Sequence, residues 1–278
     1  MEKKISYLIY LIINVFDKII RLIFNRSFLI WFPEFISKYK KIDNYVFFIP
    51  NKLIEWRIKT FYTKEPETLE WIDSFEKNST FWDIGANIGL YSIYCGKKNK
   101  STKIFSFEPS TSNLRVLSRN IYINELEKKI TIVPMPLLNI NGIKPFMMHE
   151  SSFVEGEAEN SFKVNFDWQG NKFNSANNYS LFGTSIDFLV DNNILQLPDY
   201  IKIDVDGVEH FILEGSLRTL KNKKIKSILI ELNEDFKEQF KTCNKILKDS
   251  GFKLLKKEHS QMFENSIYSN VYNYIFTR

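Results

Sequence analysis

A glycine-containing segment at residues 81–89, FWDIGANIG, is the first part of the chain whose residue types suit ligand binding. An apolar run ends at Asp83, and small residues then lead into a helical pattern. Gly85 and Gly89 permit a sharp turn and a close approach of the backbone to a ligand, which a side chain would block. The free N–H groups at the start of the next helix can bind a carboxylate or a phosphate. The spacing is not the G-x-G-x-x-G of dinucleotide-binding folds, which argues against a nicotinamide-dependent oxidoreductase.

A second acidic motif, Phe107-Glu108-Pro109, stands at the end of the next predicted strand. A carboxylate at the tip of the second strand of a βαβ unit can accept hydrogen bonds from both hydroxyls of a ribose. A helix-capping or surface acid is the alternative. The pairing of this motif with the glycine segment favours the ribose-binding interpretation.

A third motif, KIDVDGVEH at residues 202–210, contains Asp204 and Asp206 directly after an apolar strand pattern. The following predicted strand ends at Glu231-Leu232-Asn233. Open α/β sheets bind ligands at the carboxyl ends of their strands. Because an unpaired acid is costly to bury, this group of acids predicts a site. A helix N-cap role is the alternative for Asp206.

Strands that alternate with helices are predicted over most of the chain. Predicted strands span residues 80–84, 103–107, 130–133, 200–205, 227–232, 252–257 and 270–277, and predicted helices span 89–98, 110–124, 208–220 and 235–250. This alternation predicts an α/β fold, with a mostly parallel sheet covered by helices on both faces. Residues 142–181 break the rhythm and are interpreted as an irregular insertion beside the mouth of the active site.

The three motifs, in this order, resemble those of the FkbM family of methyltransferases. The family patterns D-x-G-A-N-x-G, F-E-P and K-I-D-V-E-G-x-E align with residues 83–89, 107–109 and 202–209. The resemblance covers about residues 60–278. It implies a class I methyltransferase Rossmann-like fold, in which S-adenosyl-L-methionine lies across the tips of a seven-stranded sheet.

The resemblance also assigns individual residues. Glu108 would hold the ribose diol, and residues 135–137 would lie near the adenine. The residues expected to bind the cofactor are Glu65, Asp83, Gly85, Ala86, Asn87, Gly89, Glu108, Pro109, Asn113 and Asp204. Asp206 departs from the Glu that is usual in the family, and its shorter side chain would shift the contact that it makes. Pro136 is a second departure, since a small residue such as Ala is commoner there.

Methyl transfer from a sulfonium to a hydroxyl requires alignment of the reacting atoms and exclusion of water. A sugar hydroxyl is a poor nucleophile at neutral pH, so a general base is expected. We expect Asp204 or Asp206 to orient or deprotonate the hydroxyl, with Glu231 nearby. His149, in the insertion, is a further candidate. A divalent cation such as Mg²⁺ would suit these carboxylates, but the sequence does not require one.

Charge and cysteine content indicate which classes of partner and which cellular compartment to expect. The chain has 278 residues and a net charge of +5, and its lysines are scattered. A nucleic-acid-binding protein usually has a denser basic stripe, so no nucleic-acid partner is expected. Cys95 and Cys243 have neither zinc-site nor disulfide spacing, which favours a reducing compartment. The expected location is the cytoplasm.

Residues 1–60 are predicted to form an amphipathic helix and a lead-in segment, before a methyltransferase domain at residues 61–278. The apolar stretch at residues 7–16 is interrupted by charged residues before it could span a bilayer. Such a helix can lie peripherally at the inner membrane face, cap the catalytic domain, or pair with another subunit in a homo-oligomer.

The expected activity is O-methylation of a sugar, glycan or glycolipid, with a saccharide or a lipid-linked glycan as the acceptor. The resemblance supports this, since members of the family often modify glycans and polyketides. Phe166, Trp168 and Tyr179 in the insertion have rings that can stack on a sugar, with core packing as the alternative. A methyltransferase of a small secondary metabolite and a non-catalytic scaffold of the same fold are the competing functions.

Overall fold

The N-terminal part of the chain forms a unit of its own. The structure, a computed structural model, describes residues 2–25, 27, 29, 38–158, 160–164, 166–172 and 174–278. Contacts divide the chain into Met1–Tyr39 and Lys40–Arg278. The first unit contains helix α1 (Glu2–Phe24), most of whose apolar side chains are exposed. None of the helices in the described part of the chain is long and apolar enough to cross a bilayer.

The second unit is built on a seven-stranded sheet. The strands of the chain are β1 (Tyr39–Ile42), β2 (Tyr45–Phe48), β3 (Thr80–Ile84), β4 (Lys103–Phe107), β5 (Ile130–Val133), β6 (Lys144–Glu150), β7 (Asn160–Phe162), β8 (Asn177–Gly183), β9 (Tyr200–Ile203), β10 (Ser227–Asn233), β11 (Lys253–Glu258) and β12 (Val271–Thr277). The seven-stranded sheet has the order β11-β12-β10-β9-β3-β4-β5. Strands β5, β4, β3, β9 and β10 run parallel, and β12 is antiparallel to both of its neighbours. The predicted mostly parallel sheet of seven strands is therefore confirmed.

The second unit contains the helices α2 (Lys52–Lys59), α3 (Pro66–Asp73), α4 (Leu90–Lys98), α5 (Thr111–Ile123), α6 (Ile186–Asp191), α7 (Glu209–Glu214) and α8 (Lys237–Asp249). Helices α2 and α3 precede β3, whereas α4 to α8 lie between successive strands of the seven-stranded sheet. Side-chain caps start some of them: the hydroxyl of Ser110 accepts a hydrogen bond from the amide of Asn113, and Ser185 caps α6 in the same way. The helix predicted at residues 208–220 is shorter, because α7 ends at Glu214 and a 3₁₀ turn follows at Thr219–Lys221.

Two apolar layers cover the two faces of the sheet. Successive side chains of β3 point to opposite faces of the sheet, so Phe81 packs in one layer and Trp82 in the other. The Phe81 layer also includes Phe47 of β2 and Ile58 of α2, both fully buried. Residues 40–60 thus belong to the core of the second unit, and the structure divides the chain near residue 39 rather than at the predicted residue 60.

The insertion has regular structure that its polar composition did not predict. Strands β6, β7 and β8 form a three-stranded antiparallel sheet in the order β7-β6-β8. Met148 and Phe162 on one face of this sheet pack with Leu138 and Val208 in a small apolar cluster. The insertion is therefore a second sheet with an apolar face of its own, rather than the irregular loop expected from the sequence.

Candidate active site

A cavity of about 310 Å³ opens at the carboxyl ends of β3, β4, β9 and β10. Its lining includes most of the predicted site: Glu65, Gly85, Ala86, Asn87, Glu108, Pro109, Asn113, Asp204, Asp206 and Glu231. Asp83 and Gly89 are buried next to it without lining it. His149 is not part of the lining. The topology of the sheet thus brings three motifs that are distant in sequence to one edge.

The glycine turn after β3 packs closely against the ends of the neighbouring strands β4 and β9. Gly85 has a φ of +85°, and a Cβ built there would lie 1.8 Å from the carbonyl oxygen of Asp204. The amides of Gly85 and Ala86 both donate to the carbonyl of Phe107, at 3.0 and 2.9 Å. Gly89 also has a positive φ, of +87°, and a Cβ there would lie 2.5 Å from a methyl of Leu117. Both positions therefore require glycine, for the backbone conformation and for the space.

Glu108 presents a fixed carboxylate to the cavity. Its two oxygens accept hydrogen bonds from the amides of Asn87, at 2.7 Å, and Ser110, at 2.8 Å. Burial raises the pKa of Glu108 to about 7, although these hydrogen bonds oppose the shift. The geometry suits a pair of vicinal hydroxyls, which can donate to the remaining lone pairs of the carboxylate.

The wall beside Glu108 is apolar. Met135, Pro136 and Leu137, the residues predicted to lie near the adenine, follow β5 and line the cavity, and Met148 and Phe162 of the insertion line it too. A narrow apolar wall next to a diol-binding carboxylate fits a nucleoside. The side-chain oxygen of Asn87 is buried without a hydrogen-bond partner among the described residues, which leaves an acceptor for a ligand.

Charged residues from distant parts of the chain meet at the other end of the cavity. Lys202 of β9 is 1% exposed, and its Nζ lies 2.6 Å from a carboxylate oxygen of Asp204. Lys64 lies 2.8 Å from Glu65, which also accepts a hydrogen bond from the hydroxyl of Tyr91. Burial would raise the pKa of Glu65, but Lys64 and Lys202 lower it to about 2. Glu65 is therefore ionised, and together with the carboxyl group of Asp204 it suits the positive charges of a sulfonium and an amino group.

Asp206 and Glu231 differ from those two carboxylates because neither has a lysine or arginine ion pair within the described residues. Burial, followed by the charge of nearby Asp204, raises the pKa of both groups well above the ordinary range. Asp206 also has a φ of +58°, an uncommon backbone conformation for a residue with a side chain. Such carboxyl groups have the properties of general bases that work near neutral pH.

A divalent cation has a set of oxygen ligands here. Carboxylate oxygens of Glu65, Asp204 and Glu231 lie within 4.8 Å of one another. Hard oxygen ligands of this kind suit Mg²⁺. Lys64 and Lys202, however, already balance the charge of two of the three carboxylates. The cluster is thus a lysine–carboxylate network in which two of the three carboxylates are balanced without a cation.

Two of the predicted residues have other surroundings. His149 lies on the face of β6 opposite to the buried Met148, and its Nδ1 is 2.6 Å from the side-chain oxygen of Asn178. The structure does not bring this ring to the acids, so we propose no catalytic role for it.

One oxygen of Asp83 accepts a hydrogen bond from the hydroxyl of Ser92 at 2.6 Å, and the other has no partner among the described side chains. Asp83 therefore supports the glycine turn from behind the cavity wall.

A loop of the insertion, residues 151–158, covers the Glu108 end of the cavity. Asn113 receives a hydrogen bond from the amide of Gly156 at 2.8 Å and donates to the carbonyl of Glu157 at 3.0 Å. Asn87 donates to the same carbonyl at 3.0 Å, and Arg57 donates to the carbonyl of Gly156 at 2.7 Å. This covering loop thus excludes water above the residues that face the nucleoside region.

Several residues that line the cavity were not predicted as site residues from the sequence. Lys202 could have been recognised, because a lysine inside an apolar strand must have a buried partner. Tyr91, Asn273 and Tyr268 carry no such local signal, and the folded chain alone places them in the lining. Among the three insertion aromatics, Trp168 lines the cavity, Tyr179 donates to Glu150, and Phe166 packs on other rings.

Two methyltransferases are related to this chain in sequence. Hexuronic acid methyltransferase AglP of Haloferax volcanii is 22% identical over 184 residues, which are 64% of this chain and 66% of that protein. Methyltransferase sdnD of Sordaria araneosa is 25% identical over 166 residues, or 52% of this chain and 62% of that protein. The chain thus spans less than two thirds of the length of each of these relatives.

A solved structure of a precorrin-6y C5,15-methyltransferase from Geobacter metallireducens matches 77% of this chain and 88% of its own, with a TM-score of 0.45 and 15% identity. At that level of likeness, the assignment of the fold depends on the strand order described above.

The family model described as the methyltransferase FkbM domain matches residues 83–254, more than half of the chain. The matched range contains the glycine turn, Glu108 and the acids after β9. The resemblance drawn from the motifs is therefore confirmed, and so is the cofactor that it implies. The chain belongs to the FkbM family of S-adenosyl-L-methionine-dependent methyltransferases.

Proposed function

We propose that this protein transfers a methyl group from S-adenosyl-L-methionine to a hydroxyl of a sugar in a glycan or glycolipid. The observation that carries the proposal is a single cavity that joins the nucleoside wall at Glu108 to the carboxyl groups of Asp206 and Glu231. The name of one relative, a hexuronic acid methyltransferase, supports a sugar acceptor.

The residues at the Glu108 end fit the cofactor. Glu108 would accept hydrogen bonds from the ribose hydroxyls, and residues 135–137 would contact the adenine. Glu65 and Asp204 would face the positive groups of the methionine part. When bound, S-adenosyl-L-methionine supplies an electrophilic methyl group. The chain itself orients the two substrates, excludes water under the covering loop, and removes a proton from the acceptor.

The base is assigned to Asp206, with Glu231 beside it. Asp204 is held by Lys202 at 2.6 Å, so its carboxyl group is already engaged and fixes the lysine. Asp206 makes no such ion pair, and burial raises its pKa. A carboxylate with a raised pKa is the better proton acceptor, and it accepts the hydroxyl proton as the oxygen attacks the methyl carbon.

Replacement of Asp206 by Asn tests this role. Turnover is expected to fall about 100-fold or more, the usual contribution of a general base, while binding of S-adenosylhomocysteine is retained. The activity of the parent protein should rise with pH through the raised pKa of the base, and this rise should be lost in the variant. Asp249→Asn, at an exposed position at the end of α8, is the matched control.

Two outcomes would change the mechanism. Full turnover by a protein with both Asp204→Asn and Asp206→Asn would show that neither acid is the base. Loss of activity in EDTA, restored by Mg²⁺, would show that Glu65, Asp204 and Glu231 act as cation ligands instead.

The function itself is tested in two steps with the full chain. Calorimetric titration with S-adenosylhomocysteine should give a Kd in the micromolar range or tighter, near −8 kcal/mol. Labelled S-adenosyl-L-methionine should then transfer its methyl group to a glycan or glycolipid fraction. No binding by a folded sample would favour the scaffold function, and transfer to a small secondary metabolite alone would contradict the sugar acceptor.

We further propose that α1 makes a peripheral contact with an anionic membrane surface. Its exposed side chains include Leu8, Ile12 and Phe16, and Lys3, Lys4 and Lys18 add positive charge. Apolar side chains together with lysines favour binding at an anionic lipid interface. The full chain should sediment with vesicles that contain an anionic phospholipid, and a chain without residues 1–40 should not. Equal sedimentation of the two would contradict the membrane contact.

A further inference from the structure

Two aromatic side chains from distant parts of the chain meet in the wall of the cavity. Trp168 comes from the insertion and Tyr268 from the segment before β12, and their ring centroids lie 4.9 Å apart at an angle of 30°. Both rings are partly exposed, and both line the main cavity and a smaller pocket that adjoins it. A partly exposed pair of rings on a cavity wall offers an apolar surface to a ligand.

The position of Trp168 is fixed by the backbone around Asp206. Gly207 has a φ of +111°, and a Cβ built there would lie 3.0 Å from the Cα of Trp168. The side-chain amide of Asn233, at the end of β10, donates to the carbonyl of Trp168 at 3.4 Å. The absence of a side chain at Gly207 therefore lets the insertion lie directly on the motif that carries the base.

Two carboxyl groups complete this part of the wall. Asp206 and Glu231 line the same two cavities as Trp168 and Tyr268. The buried lysines pair with other carboxylates, Lys64 with Glu65 and Lys202 with Asp204. Within the described residues Asp206 and Glu231 make no such ion pair, so they remain available to a ligand in the cavities that the aromatic pair lines.

An unused amide oxygen points to a ligand at the same place. Asn273 is the register partner of Glu231 on the neighbouring strand β12, and it lines the main cavity. It is 3% exposed and donates to Glu67 at 2.7 Å, but its Oδ1 has no hydrogen-bond partner among the described groups. A buried acceptor without a partner is costly, and a hydroxyl donor from a ligand would satisfy it.

We propose that Trp168, Tyr268, Asp206, Glu231 and Asn273 form an acceptor subsite for an uncharged sugar ring. The apolar C–H face of the ring packs on the aromatic pair, while its hydroxyls donate to the carboxyl and amide oxygens. This proposal rests on the proposed function and deepens it, because it places the acceptor at one wall of the cavity and predicts that the acceptor is uncharged.

The charge of the wall excludes sugar acids. Among the described residues, the cavity lining has seven carboxyl groups and three lysine or arginine side chains: Glu65, Glu67, Glu108, Glu157, Asp204, Asp206 and Glu231 against Arg57, Lys64 and Lys202. A uronate would add a further carboxylate to this acidic lining, and juxtaposed like charges oppose binding. A neutral pyranose has no such penalty. The expected acceptor therefore differs in charge from the hexuronic acid in the name of the relative AglP.

Binding can be measured separately from turnover. The full chain, saturated with S-adenosylhomocysteine, is titrated with the methyl glycosides of glucose, galactose and mannose and with the corresponding methyl uronides. Saturation-transfer NMR detects weak binding by such ligands. We expect at least one neutral glycoside to bind about tenfold or more tightly than its uronide, which corresponds to about 1.4 kcal/mol.

Variants locate the subsite. Trp168→Ala should weaken binding of the neutral glycoside about tenfold, Trp168→Phe should retain most of it, and S-adenosylhomocysteine should bind equally to all three proteins. Phe182→Ala is the matched control, because Phe182 is an aromatic residue of β8 in the three-stranded sheet that is 59% exposed and lies outside the lining. Asn273→Asp should weaken the same binding by adding a carboxylate.

The outcomes separate this inference from the proposed function. Equal or tighter binding of the uronides, absence of binding by every neutral glycoside, or unchanged binding by Trp168→Ala would each overturn the subsite. In all of these cases S-adenosylhomocysteine would still bind, and methyl transfer to another hydroxyl would still be open. Failure to bind S-adenosylhomocysteine would instead refute the proposed function.

Discussion

At the scale of single residues, Glu108 shows how burial prepares a carboxylate for a ligand. Two backbone amides hold it in place, and burial raises its pKa to about 7. Below that pH the free protein keeps a proton on Glu108. The ribose hydroxyls bind best to the ionised form, so cofactor binding in this range must release the proton.

Cofactor binding should therefore weaken as the pH falls. Between pH 8 and pH 6, the Kd for S-adenosylhomocysteine is expected to rise about tenfold, because one pH unit below the pKa costs about 1.4 kcal/mol. Glu108→Gln should bind more weakly at pH 8 and lose most of the dependence on pH. Calorimetric titration at several pH values measures both effects. A parent protein whose Kd does not change over this range would contradict the role of Glu108.

At the scale of elements, the turn between β3 and α4 is confined by its neighbours. The carbonyl of Asp204, after β9, lies where a Cβ of residue 85 would have to stand. The same turn is bonded to the end of β4 through Phe107. Its shape thus depends on two adjacent strands, and any displacement of the turn would also move the acids that follow β9.

Gly85→Ala should consequently abolish cofactor binding and lower the stability of the fold. Gly142→Ala is a matched control, since Gly142 has a similar φ of +82° but no atom within 4 Å of a built Cβ. Both variants carry the cost of a positive φ, roughly 1–2 kcal/mol. The loss of unfolding free energy beyond that value in Gly85→Ala, measured by denaturant titration, reports the clash with Asp204. Equal losses in the two variants would show that the close contact has no effect.

The elements themselves were largely predictable from the sequence, and the reasons differ along the chain. Strands β3, β4 and β5 match their predicted bounds because buried parallel strands are continuous apolar runs. The insertion was not predicted, since strands such as β8 expose alternate residues and contain asparagines that also suit loops. The side of the cavity that we assign to the methyl donor, called the donor wall and formed by the turn at Gly85, Glu108 and residues 135–137, follows from local motifs. The pairing of Trp168 with Tyr268 depends on tertiary contacts that no local pattern encodes.

At the scale of the whole molecule, the buried acids make stability depend on pH in an unusual direction. Burial raises the pKa of Glu108 and Glu209 to about 7 in the fold, from an ordinary value of 4.5. Folding therefore disfavours their ionised forms, and stability is lost as the pH rises from about 4.5 to about 7. Glu65 has the opposite effect only below pH 4.5, because its pKa is lowered to about 2.

Without cofactor, the protein should thus be more stable at pH 5.5 than at pH 8. Each of the two glutamates contributes about 2 kcal/mol to the difference, from about 1.5 pKa units of unequal protonation. His210 opposes the trend in part, since burial lowers its pKa. Thermal unfolding at the two pH values measures the sum, and Glu209→Gln should reduce it. A higher Tm at pH 8 would contradict the assignment of these pKa values.

The two walls of the cavity are encoded by separate stretches of chain. The turn at Gly85, Glu108 and residues 135–137 form the donor wall, whereas Trp168 belongs to an insertion and Tyr268 lies beyond the matched range, which ends at residue 254. Substitutions near Trp168 and Tyr268 can therefore accumulate without a change in Gly85, Glu108 or residues 135–137. Lineages that share the donor are free to diverge toward unrelated acceptors. Overall identity to a relative is accordingly a poor guide to the molecule that either one methylates.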